Sequence, residues 1–503
     1  MSLGVRALIG SGWLAIGTLM SRFVGIFSTV ILARLLTPAD FGLLALMVSI
    51  NEIVTLLFAF GPGNYLIRQK EIDERNYHTA FTFNIARTTI IAAMILAIAA
   101  PAAAFLDNPK IEPVLYVGAI GAFVSGLTNP GMFMYSKMMN FAPQAKLNFL
   151  ASLVSIGVTL SLAFLWRDYW ALVIGSVMQP ISYTAMSYAA HRFRPRLSLH
   201  NMRDMFGFSM WVTIGNGLFT LGSKLDAFVL QKMTNTTNVG LFSTAKDFCA
   251  APTMMLMNIA NQVVYSTLSS LGDDKVKEKF IYLEIVGFLF LLIAPVLVGL
   301  SMTAPEVITI LYGEKWLAMI PIVATLPLLQ TFQLISNNVV STVMKDGRTK
   351  LLLYRGISYA VIRIPAFAFG AYQAGLAGAL IGYVAAGVML TVIDLYFVRK
   401  VLPITAMDYI SRLWRPVLAL VVMYLGGEIL RSSVDAWGVD SDGARLAIIV
   451  GWGVIVYPSV ILLAWLVTGR PFGAEQRVVN VVGKSSRRLR KGLVRFKMIK
   501  GSA

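Results

Sequence analysis

Long apolar runs recur along the whole chain, and short polar segments separate each run from the next. An α-helix needs about 20 mostly apolar residues to cross the hydrocarbon core of a bilayer, and the runs reach that length. The pattern predicts an all-α polytopic membrane protein with about 14 transmembrane helices. We place them at residues 7–33, 40–66, 80–105, 113–135, 147–165, 170–190, 207–230, 239–267, 281–300, 317–344, 351–370, 375–397, 413–430 and 446–467.

The composition indicates that the bilayer is the main solvent of this chain. Of its 503 residues, 57% are hydrophobic and only 14% are charged, and the mean hydropathy is +0.71. Soluble domains average about 45–50% apolar and about 25% charged residues. The first apolar run, from about Ala7 to Leu32, is long enough for a retained span and lacks the pattern of a cleaved signal peptide. Cys249 is the only cysteine, which excludes an intramolecular disulfide.

The distribution of positive charge predicts the orientation. An even number of spans places both termini on one side, and the segments on that side hold 30 of the 43 Lys and Arg residues, against 7 on the other. Cytoplasmic loops carry this excess, so we predict a bacterial inner-membrane protein with both termini in the cytoplasm. The basic tail after Thr468 favours contact with anionic membrane lipids, with a solvated tail as the alternative. This distribution argues against nucleic acid as a partner.

Two stretches of the chain look alike. Trp13 precedes Gly42 by the same 29 residues that separate Trp211 from Gly240. The offset covers six predicted helices, which is the pattern of a parallel repeat with a substrate site between the halves. We therefore predict an N-terminal six-helix bundle at 1–191, a cytoplasmic linker at 192–206, a second six-helix bundle at 207–400, two further helices at 401–468 and a basic cytoplasmic tail at 469–503.

Ionisable residues at membrane depth are expensive to bury and are therefore candidates for a functional site. Arg22 lies near the middle of the first predicted span, and Lys224-x-Asp226 and Lys246-Asp247 place opposite charges in spans seven and eight. Residues one or two apart do not face each other on a helix, so each charge must reach another helix or water. Two interpretations remain open: interhelical ion pairs that fix the bundle, or a cationic cavity for an anionic substrate.

Other polar residues of the predicted spans divide into two groups. Glu284 and Asp394 lie near predicted helix ends, where we expect them to reach the membrane interface. Amide side chains recur at helical spacing and suit a wet cavity that binds sugar hydroxyls, although interhelical hydrogen bonds are an equal alternative. The substrate-binding candidates are Arg22, Asn51, Asn64, Lys224, Lys246, Asn258, Asn261, Gln262, Gln330, Gln333 and Asn337.

The segment Leu32-Ala33-Arg34-Leu35-Leu36-Thr37-Pro38-Ala39-Asp40-Phe41-Gly42, with Trp13 before it and Gly61 and Asn64 after it, resembles the polysaccharide transporter family. This family belongs to the multidrug/oligosaccharidyl-lipid/polysaccharide exporter superfamily. The opening Met1-Ser2-Leu3-Gly4 and the chain length are most similar to its colanic acid and succinoglycan exporter branch.

The resemblance implies two six-helix bundles arranged as a V around a central cavity of alternating access. It also implies the substrate, an undecaprenyl-diphosphate-linked oligosaccharide repeat unit that is flipped to the outer leaflet for exopolysaccharide or O-antigen-type assembly. Polysaccharide polymerase and other assembly proteins are the implied protein partners.

A second resemblance concerns Arg22. The segment Ser21-Arg22-x-x-Gly25 is similar to the first span of lipid II flippases, which implies that Arg22 faces the cavity. Those proteins carry a second cavity arginine six positions further on, where this chain has Ser28. An outward bias requires an energy source, and intramembrane carboxylates are candidates for coupling to protons or sodium. The ion-coupling candidates are Glu52, Asp226 and Asp247.

Two other functions compete with a flippase. A drug or cation exporter of the same superfamily should have an acidic, aromatic cavity, whereas these spans contain Arg22, Lys224 and Lys246. A membrane enzyme that uses a polyprenyl-linked sugar generally needs a large extramembrane domain, whereas the longest predicted loop has about 16 residues. The three histidines are well separated, so the sequence predicts no metal site, no cofactor and no catalytic residue.

Overall fold

The computed structural model describes residues 3–58, 62–68, 73–138, 140–202, 205, 224–269, 274–348, 350–439, 441–469 and 476. All regular secondary structure within these ranges is helical, which confirms an all-α membrane protein. Eight helices in the described ranges are long and apolar enough to cross a membrane. The total of fourteen spans stays a prediction, and the basic tail lies almost entirely outside the described residues.

Helix bounds follow the apolar runs. The helices are α1 (Leu3–Leu35), α2 (Pro38–Leu57), α3 (Gly63–Arg68), α4 (Glu74–Phe105), α5 (Ile111–Gly126), α6 (Met132–Lys137), α7 (Ala142–Trp166), α8 (Trp170–Ala190), α9 (224–233), α10 (Thr236–Ser269), α11 (Lys275–Met302), α12 (Ala304–Leu311), α13 (Ile320–Gln333), α14 (Val339–Lys345), α15 (Lys350–Val401), α16 (Ala406–Ala436) and α17 (Asp442–Val467). Two 3₁₀ turns, Glu314–Met319 and Leu334–Ser336, flank α13.

The chain forms two compact units that interleave along the sequence. Unit 1 contains residues Met1–Ala251, Ile308–Val323 and Thr349–Leu390, and unit 2 contains Pro252–Val307, Ala324–Arg348 and Thr391–Ala503. The five linear domains that the sequence suggests, with boundaries after residues 191, 206, 400 and 468, remain a prediction.

The motif of the first seventy residues builds a helix start in unit 1. Pro38 occupies the first turn of α2, where its missing N–H costs nothing. The Asp40 carboxylate accepts a hydrogen bond of 2.8 Å from the Thr37 backbone N–H and one of 2.7 Å from the Thr37 hydroxyl. This reciprocal cap explains why a Thr-Pro-x-Asp sequence ends one helix and begins the next.

Small residues allow close helix packing around α7 in unit 1. A Cβ atom on Gly17 of α1 would lie 2.9 Å from the Cβ of Ala145, and one on Gly175 of α8 would collide with the Thr159 hydroxyl. The helices α1 and α8 therefore both approach α7 closely, and polar side chains of all three can meet.

A break in α15 separates two arms of one long helix. Ala374 and Gly375 leave the helical conformation, and Gly375 adopts a φ of +57°, which glycine does at little cost. The break falls between the predicted spans 351–370 and 375–397. A Cβ on Gly370 would collide with the carbonyl oxygen of Gly378, so the two arms cross at backbone contact. This crossing brings Arg363 on one arm close to Tyr383 on the other.

In unit 2, α11 packs on α16 and α17, and the hydroxyl of Tyr457 donates a hydrogen bond of 2.9 Å to the Leu291 carbonyl. The interface positions that we expect for Glu284 and Asp394 are wrong, because these residues are only 6% and 2% exposed. Helix α11 begins at Lys275, nine residues before Glu284, and α15 continues to Val401, seven residues beyond Asp394. Two turns of helix therefore separate each carboxylate from the nearest helix end.

Candidate functional site: a charged region of unit 1

A polar cavity of about 430 Å³ surrounds Arg22. Residues of α1, α7 and α8 line it, and the Ser152 hydroxyl lies 3.4 Å from the Ser21 hydroxyl across the α1–α7 contact. Its polar lining consists of Ser21, Arg22, Asn148, Ser152, Ser155 and Gln179. Among the residues that the structure describes, Arg22 is the only charged member of this lining. A guanidinium surrounded by hydroxyls and amides suits an anionic, hydroxyl-rich ligand.

A second cavity of about 600 Å³ lies in unit 1 between α2, α5 and α8. Lys224 of α9 reaches it and forms an ion pair with Glu52 of α2. Asn51 also lines it, and its amide packs against Gly118, where a Cβ would lie 2.7 Å from the Asn51 nitrogen. This cavity contains charges of both signs together with apolar side chains. Of the predicted site residues, Asn51, Glu52 and Lys224 therefore lie together.

Asp226, two residues after Lys224, has different ion-pair partners. Its Oδ2 accepts a hydrogen bond of 2.8 Å from Lys246 and one of 2.9 Å from Arg363, and the carboxylate is almost fully buried. Lys224 and Asp226 thus lie on different faces of α9, as expected for residues two positions apart in a helix. One part of the set forms interhelical ion pairs, and another part lines cavities; a cationic cavity for an anionic substrate stays a prediction.

Asp247 connects these groups electrostatically. As a residue, Asp247 is more exposed than Asp226. The charged residues close enough to act on its carboxylate are Lys246, Lys224, Arg22 and Glu52. Four cations and three carboxylates thus share this part of unit 1: Arg22, Lys224, Lys246 and Arg363 with Glu52, Asp226 and Asp247.

The two glycines of the predicted repeat, Gly42 and Gly240, meet in unit 1, near helix starts that the sequence analysis predicts to lie outside the cell. A Cβ on Gly240 would collide with the carbonyl oxygen of Pro38 and would lie 2.9 Å from the Gly42 nitrogen. The Trp316 indole donates a hydrogen bond of 2.9 Å to the Ala33 carbonyl. Gly240 and Gly42 are each the fifth residue of their helix, so the first turns of α10 and α2 are in backbone contact.

Polar links between other loops extend this contact. The Asn108 amide donates a hydrogen bond of 2.9 Å to the Thr236 hydroxyl, and Lys232 forms an ion pair of 2.7 Å with Asp107. The amide of Gln231 donates to the Leu106 carbonyl at 3.2 Å. We call the Gly42–Gly240 crossing and these links the outer contact.

The remaining predicted residues lie elsewhere. Gln330 accepts a hydrogen bond of 3.3 Å from Thr253 within unit 2. The 3₁₀ turn after Gln333 interrupts the helical spacing that would place Asn337 on the same face. Asn337 is exposed and Gln333 is half-buried. The side chains of four further candidates lie outside the described residues: Asn64, Asn258, Asn261 and Gln262.

Several residues in this region are not among the site residues predicted from the sequence. Arg363 binds Asp226, and the Tyr383 ring lies 4.2 Å from the Arg363 guanidinium carbon. Asn148 and Gln179 line the cavity of Arg22. The position of Arg363 within its predicted span could have identified it. It is the thirteenth residue of the span 351–370 and lies too far from the ends to reach water easily.

Comparisons with known proteins agree with the motif at the start of the chain. The profile of the family described as "Polysaccharide biosynthesis protein" matches residues 31–321. The lipopolysaccharide biosynthesis protein WzxC of Escherichia coli (strain K12) is 23% identical over 86% of this chain and 90% of its own length. The succinoglycan biosynthesis transport protein ExoT of Rhizobium meliloti (strain 1021) is 23% identical over 90% of this chain and 92% of its own length.

A solved structure confirms the fold. The lipid II flippase MurJ, in an inward closed conformation, superposes with a TM-score of 0.70 at 15% identity, covering 90% of this chain and 98% of that one. The predicted resemblance to polysaccharide transporters is thereby confirmed. Because the family profile covers more than half of the sequence, the chain belongs to the polysaccharide biosynthesis protein family.

Proposed function

We propose that this protein is a flippase that moves an undecaprenyl-diphosphate-linked oligosaccharide repeat unit from the cytoplasmic to the outer leaflet for polysaccharide assembly. The cavity of Arg22, with one guanidinium among hydroxyls and amides, is the observation that carries the proposal. Two similar proteins named for lipopolysaccharide biosynthesis and for succinoglycan transport support it.

The physical task of such a protein is to shelter a charged sugar headgroup. A diphosphate with attached sugars cannot cross about 30 Å of hydrocarbon alone, because losing its water costs many kcal/mol. Arg22 offers paired donors to phosphate oxygens, and Ser152, Asn148 and Gln179 offer donors and acceptors to sugar hydroxyls. The prenyl tail stays in the lipid, so the protein replaces water only around the headgroup. No covalent bond changes, so we propose transport rather than catalysis.

Alternating access requires a contact that opens and closes at each side of the membrane. We propose that the outer contact at Gly42 and Gly240 closes the outer side in the conformation described. Opening it separates the outer ends of α2 and α10 and releases the headgroup outward. We further propose an inner-membrane location with both termini in the cytoplasm, where the segment 469–503 meets anionic lipids. Polysaccharide polymerase and other assembly proteins are the proposed partners.

The charge of the cavities distinguishes a flippase from a drug or cation exporter. A cationic substrate requires carboxylates or aromatic faces, whereas the described lining of the cavity of Arg22 contains a cation and no acid. In the second cavity, Lys224 already neutralises Glu52. Of the three ion-coupling candidates, Glu52 pairs with Lys224, and Asp226 pairs with Lys246 and Arg363, so we propose Asp247 as the first position to test.

Reconstitution of Arg22→Ala tests this proposal. The purified variant is placed in liposomes containing a prenyl-diphosphate oligosaccharide, and headgroup exposure at the outer leaflet is followed over time. We expect at least a tenfold loss of rate, since one charge-assisted hydrogen bond contributes about 1.5–3 kcal/mol. The matched control is Arg75→Ala, because Arg75 is exposed at the start of α4 and lines neither cavity. Equal rates for Arg22→Ala and Arg75→Ala would contradict a role for Arg22 in the path.

A further inference from the structure

Asp226, Lys246 and Arg363 form an ion-pair triad within the predicted membrane spans. Its three members come from α9, α10 and the first arm of α15, and both cations bind the same carboxylate oxygen at 2.8 and 2.9 Å. The Asp226 side chain is 5% exposed, that of Arg363 is 13% exposed and that of Lys246 is 28% exposed. The carboxylate is therefore sealed from water by its own counter-ions.

An aromatic cluster holds the triad in place. The Tyr383 ring lies 4.2 Å from the Arg363 guanidinium carbon and 5.9 Å from the Lys246 nitrogen, so both cations face its π-surface. Phe242 and Phe367 pack against Tyr383 with ring centroids 5.4 and 6.1 Å away, and both are fully buried. The backbone crossing within α15 fixes the distance between Arg363 and Tyr383. The guanidinium therefore has one preferred position.

A buried carboxylate at membrane depth is the type of group that binds a transported cation, because hard cations take oxygen ligands. At Asp226 that position is already filled. Oδ2 is shared by two protein cations, and Oδ1 is buried and makes no hydrogen bond with any residue that the structure describes. Two positive charges on one negative charge leave no electrostatic reason for a third cation to bind.

We propose that the Arg363 guanidinium occupies the position at Asp226 that a small cation from solution would otherwise take. The protein thus fills this cation site with its own side chain. Asp226 thus contributes structure and no ion coupling. Removing the guanidinium while supplying an oxygen ligand opens the site to a small monovalent cation such as Na⁺. This inference does not depend on the flippase function, since it concerns cation binding by the purified protein.

Thermal unfolding of detergent-purified protein tests the proposal. Tm is measured while Na⁺ is replaced by N-methyl-D-glucamine at constant ionic strength, with NaCl as the probe. For the wild type we expect no change in Tm. For Arg363→Gln, whose amide oxygen can join the Asp226 carboxylate, we expect a lower Tm in N-methyl-D-glucamine and a rise in Tm with increasing Na⁺.

Two control variants isolate the site. Arg363→Lys keeps a tethered cation and should respond to Na⁺ as little as the wild type. Arg363→Gln combined with Asp226→Asn removes the carboxylate and should lose the Na⁺ response. The proposal is overturned if Arg363→Gln shows no Na⁺ response. It is equally overturned if the wild type shows a Na⁺ response that Asp226→Asn removes. This second comparison keeps Arg363, so it does not depend on whether Arg363→Gln folds. Either result leaves the flippase assay of Arg22→Ala unaffected.

Discussion

Charged side chains in unit 1 occupy two contrasting environments. The Arg22 guanidinium faces a cavity whose described lining contains hydroxyls and amides but no carboxylate. The Asp226 carboxylate is buried and receives two cations at hydrogen-bond distance. The first arrangement leaves a charge available to a ligand, whereas the second satisfies the charge internally. The difference explains why neighbouring ionisable residues at similar depth need not share a role.

Asp226 should therefore matter for stability more than a surface acid does. Asp226→Asn leaves Lys246 and Arg363 without their shared counter-charge, and removing one partner of a buried pair costs about 3–5 kcal/mol. Asp107→Asn breaks the exposed pair with Lys232, which contributes about 0–1 kcal/mol. Tm measurements on both purified variants in detergent check this expectation. Equal Tm values for the two variants would show that the buried triad does not stabilise unit 1.

The sequence identifies most of these charged residues but not their partners. Depth within an apolar run indicates that Arg22, Lys224, Asp226 and Lys246 are unusual. The pairing of Asp226 with Arg363 spans 137 residues and depends on how α9, α10 and α15 pack, which hydropathy does not encode. The polar lining contributed by α7 and α8 could not be predicted either, because isolated Ser, Asn and Gln residues are common in membrane helices.

At the scale of elements, hydropathy predicts helices well and their ends poorly. The predicted span 413–430 corresponds to α16, which extends further at both ends, from Ala406 to Ala436. Its first turn contains Thr405 and Asp408, whose reciprocal cap is polar and therefore invisible to a search for apolar runs. The same omission at the start of α11 leads to the wrong expectation for Glu284. By contrast, the separate predicted spans 351–370 and 375–397 agree with the break in α15 at Ala374 and Gly375.

Glycine contacts at the ends of elements should control access to the cavities. Gly240→Ala inserts a methyl group against the Pro38 carbonyl, so α2 and α10 must separate at their outer ends. We expect this variant to favour an outward-open protein with increased labelling of Ser152→Cys by an impermeant maleimide applied from outside. The background is Cys249→Ala, since Cys249 is the only cysteine.

Gly157→Ala is the matched control for this comparison, because a Cβ on Gly157 has no atom within 4 Å. It should leave the labelling of Ser152→Cys at the level of the parent protein. Labelling that is equally low in both glycine variants would contradict a gating role for the outer contact.

At the scale of the whole molecule, the orientation follows from charge asymmetry and is testable by the same chemistry. Lys277, between the eighth and ninth predicted spans, should lie in the cytoplasm, and Lys315, between the ninth and tenth, should lie outside. In the Cys249→Ala background, an impermeant maleimide added to intact spheroplasts should label Lys315→Cys and should label Lys277→Cys only after lysis. The reverse pattern would invert the topology and place the outer contact on the cytoplasmic side.

The central claim is the identity of the transported molecule, and transport by the wild-type protein tests it most directly. Liposomes containing the purified protein and an undecaprenyl-diphosphate oligosaccharide are assayed for appearance of the sugar at the opposite leaflet, in parallel with efflux of an organic cation. We expect rapid movement of the lipid-linked sugar, and cation efflux no faster than in protein-free liposomes. Cation efflux without sugar movement would contradict this expectation and establish a drug or cation exporter instead.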